Sequence, residues 1–208
     1  MSYTLSTSRD DASSPGPTEA EANFPQNVRN IFDEMGEWAN SSFDHRHLFV
    51  ASGTYQLPAF LGDWRVNAVF FAQSGSPFTV NLGIDQANIG AGPAQRPDQR
   101  RGPNLSARER TPERWFDTSA FALQAPFTFG NAPRNSVMGP GFANLDLAVS
   151  KPWRVAGGMQ LELRWEIFNV LNKANLDLPN RIFGTPNFGR IFSAKSPLEM
   201  QFGAKLSF

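Results

Sequence analysis

The chain has no cysteine among its 208 residues, which excludes disulfides and thiolate chemistry. It has no excess charge of either sign. Lys+Arg and Asp+Glu both total 19, so no global field recruits nucleic acid. It has no long apolar run. The longest, Ala68–Ala72, falls far short of the roughly 18 residues of a membrane-spanning helix. The first residues, MSYTLSTSRDDASSPG, lack the basic start and apolar stretch of a signal peptide. By helical criteria these absences describe a soluble cytoplasmic protein. Strands escape that test, because transmembrane β-strands alternate and leave hydropathy averages flat. A fragment would also lack its leader.

What the chain does have is phenylalanine, 19 residues of it, together with 16 prolines and 17 glycines that cluster rather than spread. Five stretches alternate with period two, the mark of a strand with two different faces. They are His47–Leu57, Trp64–Gly75, Phe142–Trp153, Met159–Ile167 and Glu199–Phe208, and Ser2–Ser8 adds a shorter sixth. In MQLELRWEI, Met159, Leu161, Leu163, Trp165 and Ile167 alternate strictly with Gln160, Glu162, Arg164 and Glu166. In the preceding stretch Leu145, Leu147 and Val149 oppose Asn144, Asp146 and Ser150.

The connections alternate too. Tight turns are expected at Pro58–Asp63 and Arg154–Gly158, and long loops at about 9–44, 76–141 and 171–198. Long structureless loops are uncommon in compact domains, whereas outer-membrane barrels pair short periplasmic turns with long outer loops. Val28, Ile31, Phe32 and Met35 are spaced for one helical face inside the first loop. The fold expected is all-β, an antiparallel up-and-down meander of five to six strands.

A soluble sheet with one wet face reads the same way. Three features favour the membrane. The strands have the length a tilted spanning strand needs. Tyr55, Trp64, Trp153 and Phe208 sit where an interfacial girdle would. The loops are too rich in Pro, Gly, Asn and Arg to supply a second apolar layer. On this reading Leu145, Leu147, Val149, Met159, Leu161, Leu163, Trp165 and Ile167 face lipid, while Gln160, Glu162, Arg164 and Glu166 face a lumen. Five or six strands cannot close a barrel, since the smallest have about eight.

Four stretches resemble TonB-dependent outer-membrane receptors of the Oar-like group: FDHRHLFVASGTYQLP, WFDTSAFALQAPFTFGNAPRNSVMGPGFANLDLAVSK, LELRWEIFNVLNKANLDLPN and FGTPNFGRIFSAKSPLEMQFGAKLSF. SYTLSTSRDDASS is similar to the end of a preceding strand and its outer loop. The resemblance implies the C-terminal part of a transmembrane barrel, roughly the last quarter of about 22 strands, with signal peptide and plug domain absent. It implies outer-membrane lipid, the rest of the barrel, the plug and an unidentified solute as partners. At the terminus, Gln201, Gly203, Leu206 and Phe208 resemble the signal read by the barrel-assembly machinery, for which strand addition is a plausible mechanism.

Other candidates have bland readings. His45 and His47 follow Asp44, but zinc needs three or four ligands, so no metal is expected. Glu162 and Glu166 about Arg164 could serve acid–base chemistry, yet a charge ladder against a plug is simpler. The arginine-rich stretch Arg96–Arg114 is a solvated loop or a contact for lipid phosphates or an anionic solute. No nucleotide, phosphate-loop or triad motif is present. No enzyme activity and no cofactor are expected. The alternative function is a soluble or surface all-β binding module that uses its long loops.

Overall fold

A computed structural model of the chain describes residues 1–11, 34–58, 60, 62–90 and 95–208. Six strands form one sheet: β1 (Ser2–Leu5), β2 (His47–Gln56), β3 (Arg65–Gln73), β4 (Phe142–Arg154), β5 (Gln160–Phe168) and β6 (Glu199–Ser207). Each pairs antiparallel with its successor, so the spatial order is the chain order. The expected meander is the observed one. Its side-chain period of two fixes the register, because a one-residue slip would turn every apolar residue to the polar face.

Two tight turns close the hairpins at one end. Leu57 N donates to Trp64 O at 2.8 Å, with Gly62 and Asp63 at φ of 91° and 56°. Val155 N donates to Met159 O at 2.8 Å across Gly157 and Gly158, at φ of 80° and 82°. Glycine tolerates that left-handed backbone freely. Met159 therefore belongs to the turn, and the ladder starts at Gln160 opposite Arg154. β1 ends at Leu5, short of the expected Ser8. Past it, Arg9–Asp10 pairs with Ala39–Asn40.

The long connections all leave from the opposite end, and there the expectation of unstructured loops fails. Pro77–Phe78 pairs with Val137–Met138, and Asp98–Gln99 with Phe121–Ala122. Asn81–Leu82 lies parallel to Ile182–Phe183, joining two loops. Phe78, Val80, Phe116, Ala120, Phe121, Ala132 and Val137 form a buried cluster, with Trp115, Leu178, Phe183 and Phe188 packed on it. Every one of these residues comes from a loop. The loops do supply an apolar core, contrary to their composition, and it lies within a cap at the ends of the strands. Phe116 meets Phe78, Phe121 and Phe188 edge-to-face at 5.9, 6.0 and 5.1 Å, the arrangement ring quadrupoles favour.

Polar contacts tie the cap together. Arg96 and Glu37 form a fully buried ion pair, and Arg134 Nε donates to Glu37 O at 3.2 Å. Asn135 Nδ2 donates to Asn40 O at 2.7 Å, joining the first loop to the second. At the base of the cap the backbones touch. A Cβ on Gly75 would stand 1.9 Å from Gly139 O, so no larger residue fits there. Of the expected helical face, Val28, Ile31 and Phe32 lie outside the described residues. Met35, the last of that set, sits in a single 3-10 turn, Glu34–Glu37.

Candidate functional site

The ladder sorts the strand residues into two surfaces. Tyr3, Phe49, Ala51, Tyr55, Val66, Ala68, Phe70 and Ala72 share one face with Leu145, Leu147, Val149, Leu161, Leu163, Trp165, Ile167, Met200, Phe202 and Leu206. In this single-layer sheet that face is open: Tyr55 is 64 % exposed, Phe202 80 % and Leu163 42 %. Contiguous exposed apolar area on this scale marks a surface made to be covered. The long strands have 10, 9, 13, 9 and 9 residues, which matches the 9–11 or so of a tilted spanning strand.

One charge interrupts this face. Lys151 lies opposite Leu163, with Val149 and Trp153 as its neighbours two residues away in β4. Its ammonium reaches the tight-turn end. There it lies 5.2 Å from the Trp64 ring and 5.1 Å from the Trp153 ring, which meet each other edge-on at 6.3 Å. The girdle residues Trp64 and Trp153 thus meet around one lysine, which sequence reading missed, while the ladder places Tyr55 opposite Val66. The signal was present: Lys151 breaks the apolar set Leu145, Leu147, Val149, Trp153.

The opposite face carries Gln160, Glu162, Arg164 and Glu166, all in β5. Arg164 bridges Glu162 at 3.2 Å and Glu166 at 3.5 Å, and Gln201 donates to Glu166 from β6. This is a charge ladder satisfied within the wall. The face is not uniformly polar, however. Val50, Val69, Phe71 and Phe142 fall on it near the cap, with the Phe71 and Phe142 rings at 5.8 Å. Gln201 and Gly203 share this face, and nothing lies within 4 Å of where a Gly203 Cβ would stand. Leu206 pairs with Leu161 on the apolar face, and Phe208 lies just past the end of β6, fully exposed. Among the described residues the outer edge of β6 has no partner strand.

The cap divides the arginine-rich stretch. Arg96 is internal, held by Glu37, and cannot meet a ligand at the surface. Arg101 and Arg114 converge on Asp117 at 2.8 and 3.8 Å, and Arg110 lies 5.4 Å over Trp115. The Ser119 hydroxyl, and next the Arg101 guanidinium, hold the Asp117 carboxyl below its usual range. The Lys195 ammonium and the Ser193 hydroxyl do the same for Asp177. His45 Nδ1 lies 2.8 Å from Ser74 O, and His47 Nδ1 lies 2.8 Å from the Tyr3 hydroxyl. Each histidine thus has a hydrogen-bond partner within the protein. A shallow groove of about 260 Å³ between Leu178–Ile182 and Phe192–Ser193 is smaller than the usual ligand pocket.

Residues 1–201 match a family model described as an outer membrane beta barrel domain. No curated protein and no solved structure matches the chain.

Proposed function

The chain belongs to the outer membrane beta barrel domain family, and on that footing we propose that it forms part of the wall and mouth of a TonB-dependent receptor of the Oar-like group. Its place is the outer membrane, which sets aside the soluble binding module. The observation that carries the wall reading is the inverted distribution of apolar residues. The sheet leaves its apolar face uncovered, while the loops at one end keep a core to themselves. In hydrocarbon every backbone group must be paired, so a sheet with open edges requires further strands on each side. Six strands are two short of the smallest barrels, at about eight. In this reading the sheet is one arc of a larger wall.

Each set of residues then has a role. Leu145, Leu147, Val149, Leu161, Leu163, Trp165 and Ile167 meet lipid, with Met159 at the turn below them. Gln160, Glu162, Arg164 and Glu166 meet the lumen and its plug. The cap forms the outer mouth that receives a solute. Gln201, Gly203, Leu206 and Phe208 are read by the barrel-assembly machinery. The protein is no enzyme and needs no cofactor. The receptor assignment rests on the four quoted stretches, and photocrosslinking in cells of the complete barrel protein that carries this segment and its plug tests it. A receptor gives a species crosslinked to TonB that depends on the proton motive force. Protein present in the outer membrane but never crosslinked would overturn the receptor reading and leave the barrel intact.

A further inference from the structure

We propose that Lys151, Trp64 and Trp153 form a binding site for the phosphate headgroup of an anionic glycerophospholipid in the leaflet on the tight-turn side. The inference rests on the reading of the apolar face as lipid-facing, and adds a specific occupant to it. Lys151 is the one Lys, Arg, Asp or Glu that the ladder places on that face. A lysine at mid-membrane depth would be costly. This one begins within the apolar face and carries its ammonium towards the turns, as long basic side chains do at an interface.

Three observations turn the lysine into a site. First, among the described residues no carboxylate pairs with its ammonium. The charge ladder of Glu162, Arg164 and Glu166 lies on the other face. Second, two indole rings hold the ammonium at 5.2 and 5.1 Å, which fixes its position without neutralising it. Third, the turn brings its backbone close to the ammonium. A Cβ on Gly62 would lie 2.9 Å from Nζ, so glycine there keeps the ammonium's approach clear. A fixed, unneutralised cation at an aromatic girdle is complementary to a phosphodiester. Short turns of such barrels face the periplasm, so the leaflet concerned is the inner one.

The test uses quenching of tryptophan fluorescence by phosphatidylglycerol and phosphatidylcholine brominated in the acyl chains, with the complete barrel that contains this segment reconstituted in bilayers. Both lipids are expected to quench. Phosphatidylglycerol is expected to compete about fivefold better, the factor corresponding to roughly 1 kcal/mol per basic side chain at an anionic surface. Lys151→Gln should abolish that preference, Lys151→Arg should retain it, and neither should alter quenching by phosphatidylcholine. Equal competition by the two lipids in the wild-type protein would overturn the proposal, as would a preference that survives in Lys151→Gln. Absence of quenching by either lipid would overturn the lipid-facing reading beneath it, which separates the two failures.

Discussion

The sheet and the cap use the same side chains in opposite ways. Phe202, in β6, is 80 % exposed, while Phe116, in the cap, is fully buried among other rings. The cap is organised as a water-soluble protein is, with apolar residues inside and charged ones such as Arg100, Arg101 and Arg108 outside. The sheet is held by its backbone ladder and by cross-strand side-chain contacts, and among the described residues no second apolar layer covers its open face. One chain therefore obeys two burial rules, and the boundary between them falls where the strands enter the cap at His47, Gln73, Phe142, Phe168 and Glu199.

That difference can be broken from the cap side first. Phe116→Ala removes the ring at the centre of the loop core and should cost about 3–5 kcal/mol. The loss should stay in the cap: limited proteolysis of loops 76–141 and 171–198 should accelerate, while the heat-resistant electrophoretic mobility of the barrel persists. Loss of both together would mean that cap and sheet are one cooperative unit. From the sheet side, Leu163→Arg should cost about 2–4 kcal/mol in a lipid-reconstituted unfolding titration if it lies near the bilayer midplane. The cap's protease resistance should not change. Unaltered barrel stability would place this face elsewhere than in lipid.

Deleting Phe208 sharpens the comparison further, because that residue belongs to neither burial rule. It is fully exposed in this structure, so its removal should leave the melting of refolded protein nearly unchanged. On the proposal that the final strand is read by the assembly machinery, capture is a kinetic step, so the amount in the outer membrane should fall sharply. A parallel fall in melting would make Phe208 a packing residue. No fall in either would end the signal reading of QFGAKLSF.

The smallest effect expected is on pH. Asp117 and Asp177 have carboxyls depressed in the folded cap by hydrogen bonds and neighbouring cations. A carboxyl depressed by folding contributes stability that is fully present above its unfolded pKa of about 3.9. That contribution is lost as pH falls below this value and through the folded one. Cap proteolysis should therefore be flat from neutrality to about pH 5 and rise in more acid solution, with the sheet's mobility unaffected. Both carboxylates are near the surface, so added salt should shrink the effect.

The sheet is legible in the sequence because its signal is local and periodic. Alternation in MQLELRWEI specifies both a strand and its faces, and chain order then gives the neighbours. Met159 is misplaced by one position, because apolar alternation runs on into the turn that Gly157 and Gly158 create. The cap is illegible for the opposite reason. Phe78, Val80, Phe116, Phe121, Val137 and Phe188 obey no period, and the parallel pairing of Asn81–Leu82 with Ile182–Phe183 joins distant loops with no local cue. Composition misleads as well: proline and glycine make a segment irregular, but they do not prevent it from folding. Phe71 and Phe142 are hidden by the assumption that the second face is wholly polar. Arg96 shows that an arginine-rich stretch is not one object, since its first member is a buried structural cation.

The longest loop begins and ends at a single rung of the ladder. Gln73 and Phe142 are directly paired, and just beyond them Gly75 and Gly139 bring the outgoing and returning backbones into contact. Seen from the sheet, everything between is a hairpin connection whose length does not enter the register. That part of the cap is therefore a cassette with its two ends already clamped together. Evolution can lengthen, shorten or exchange it without renegotiating a hydrogen bond of the wall. An engineer who wants to display a foreign domain on the cell surface is offered the same joint.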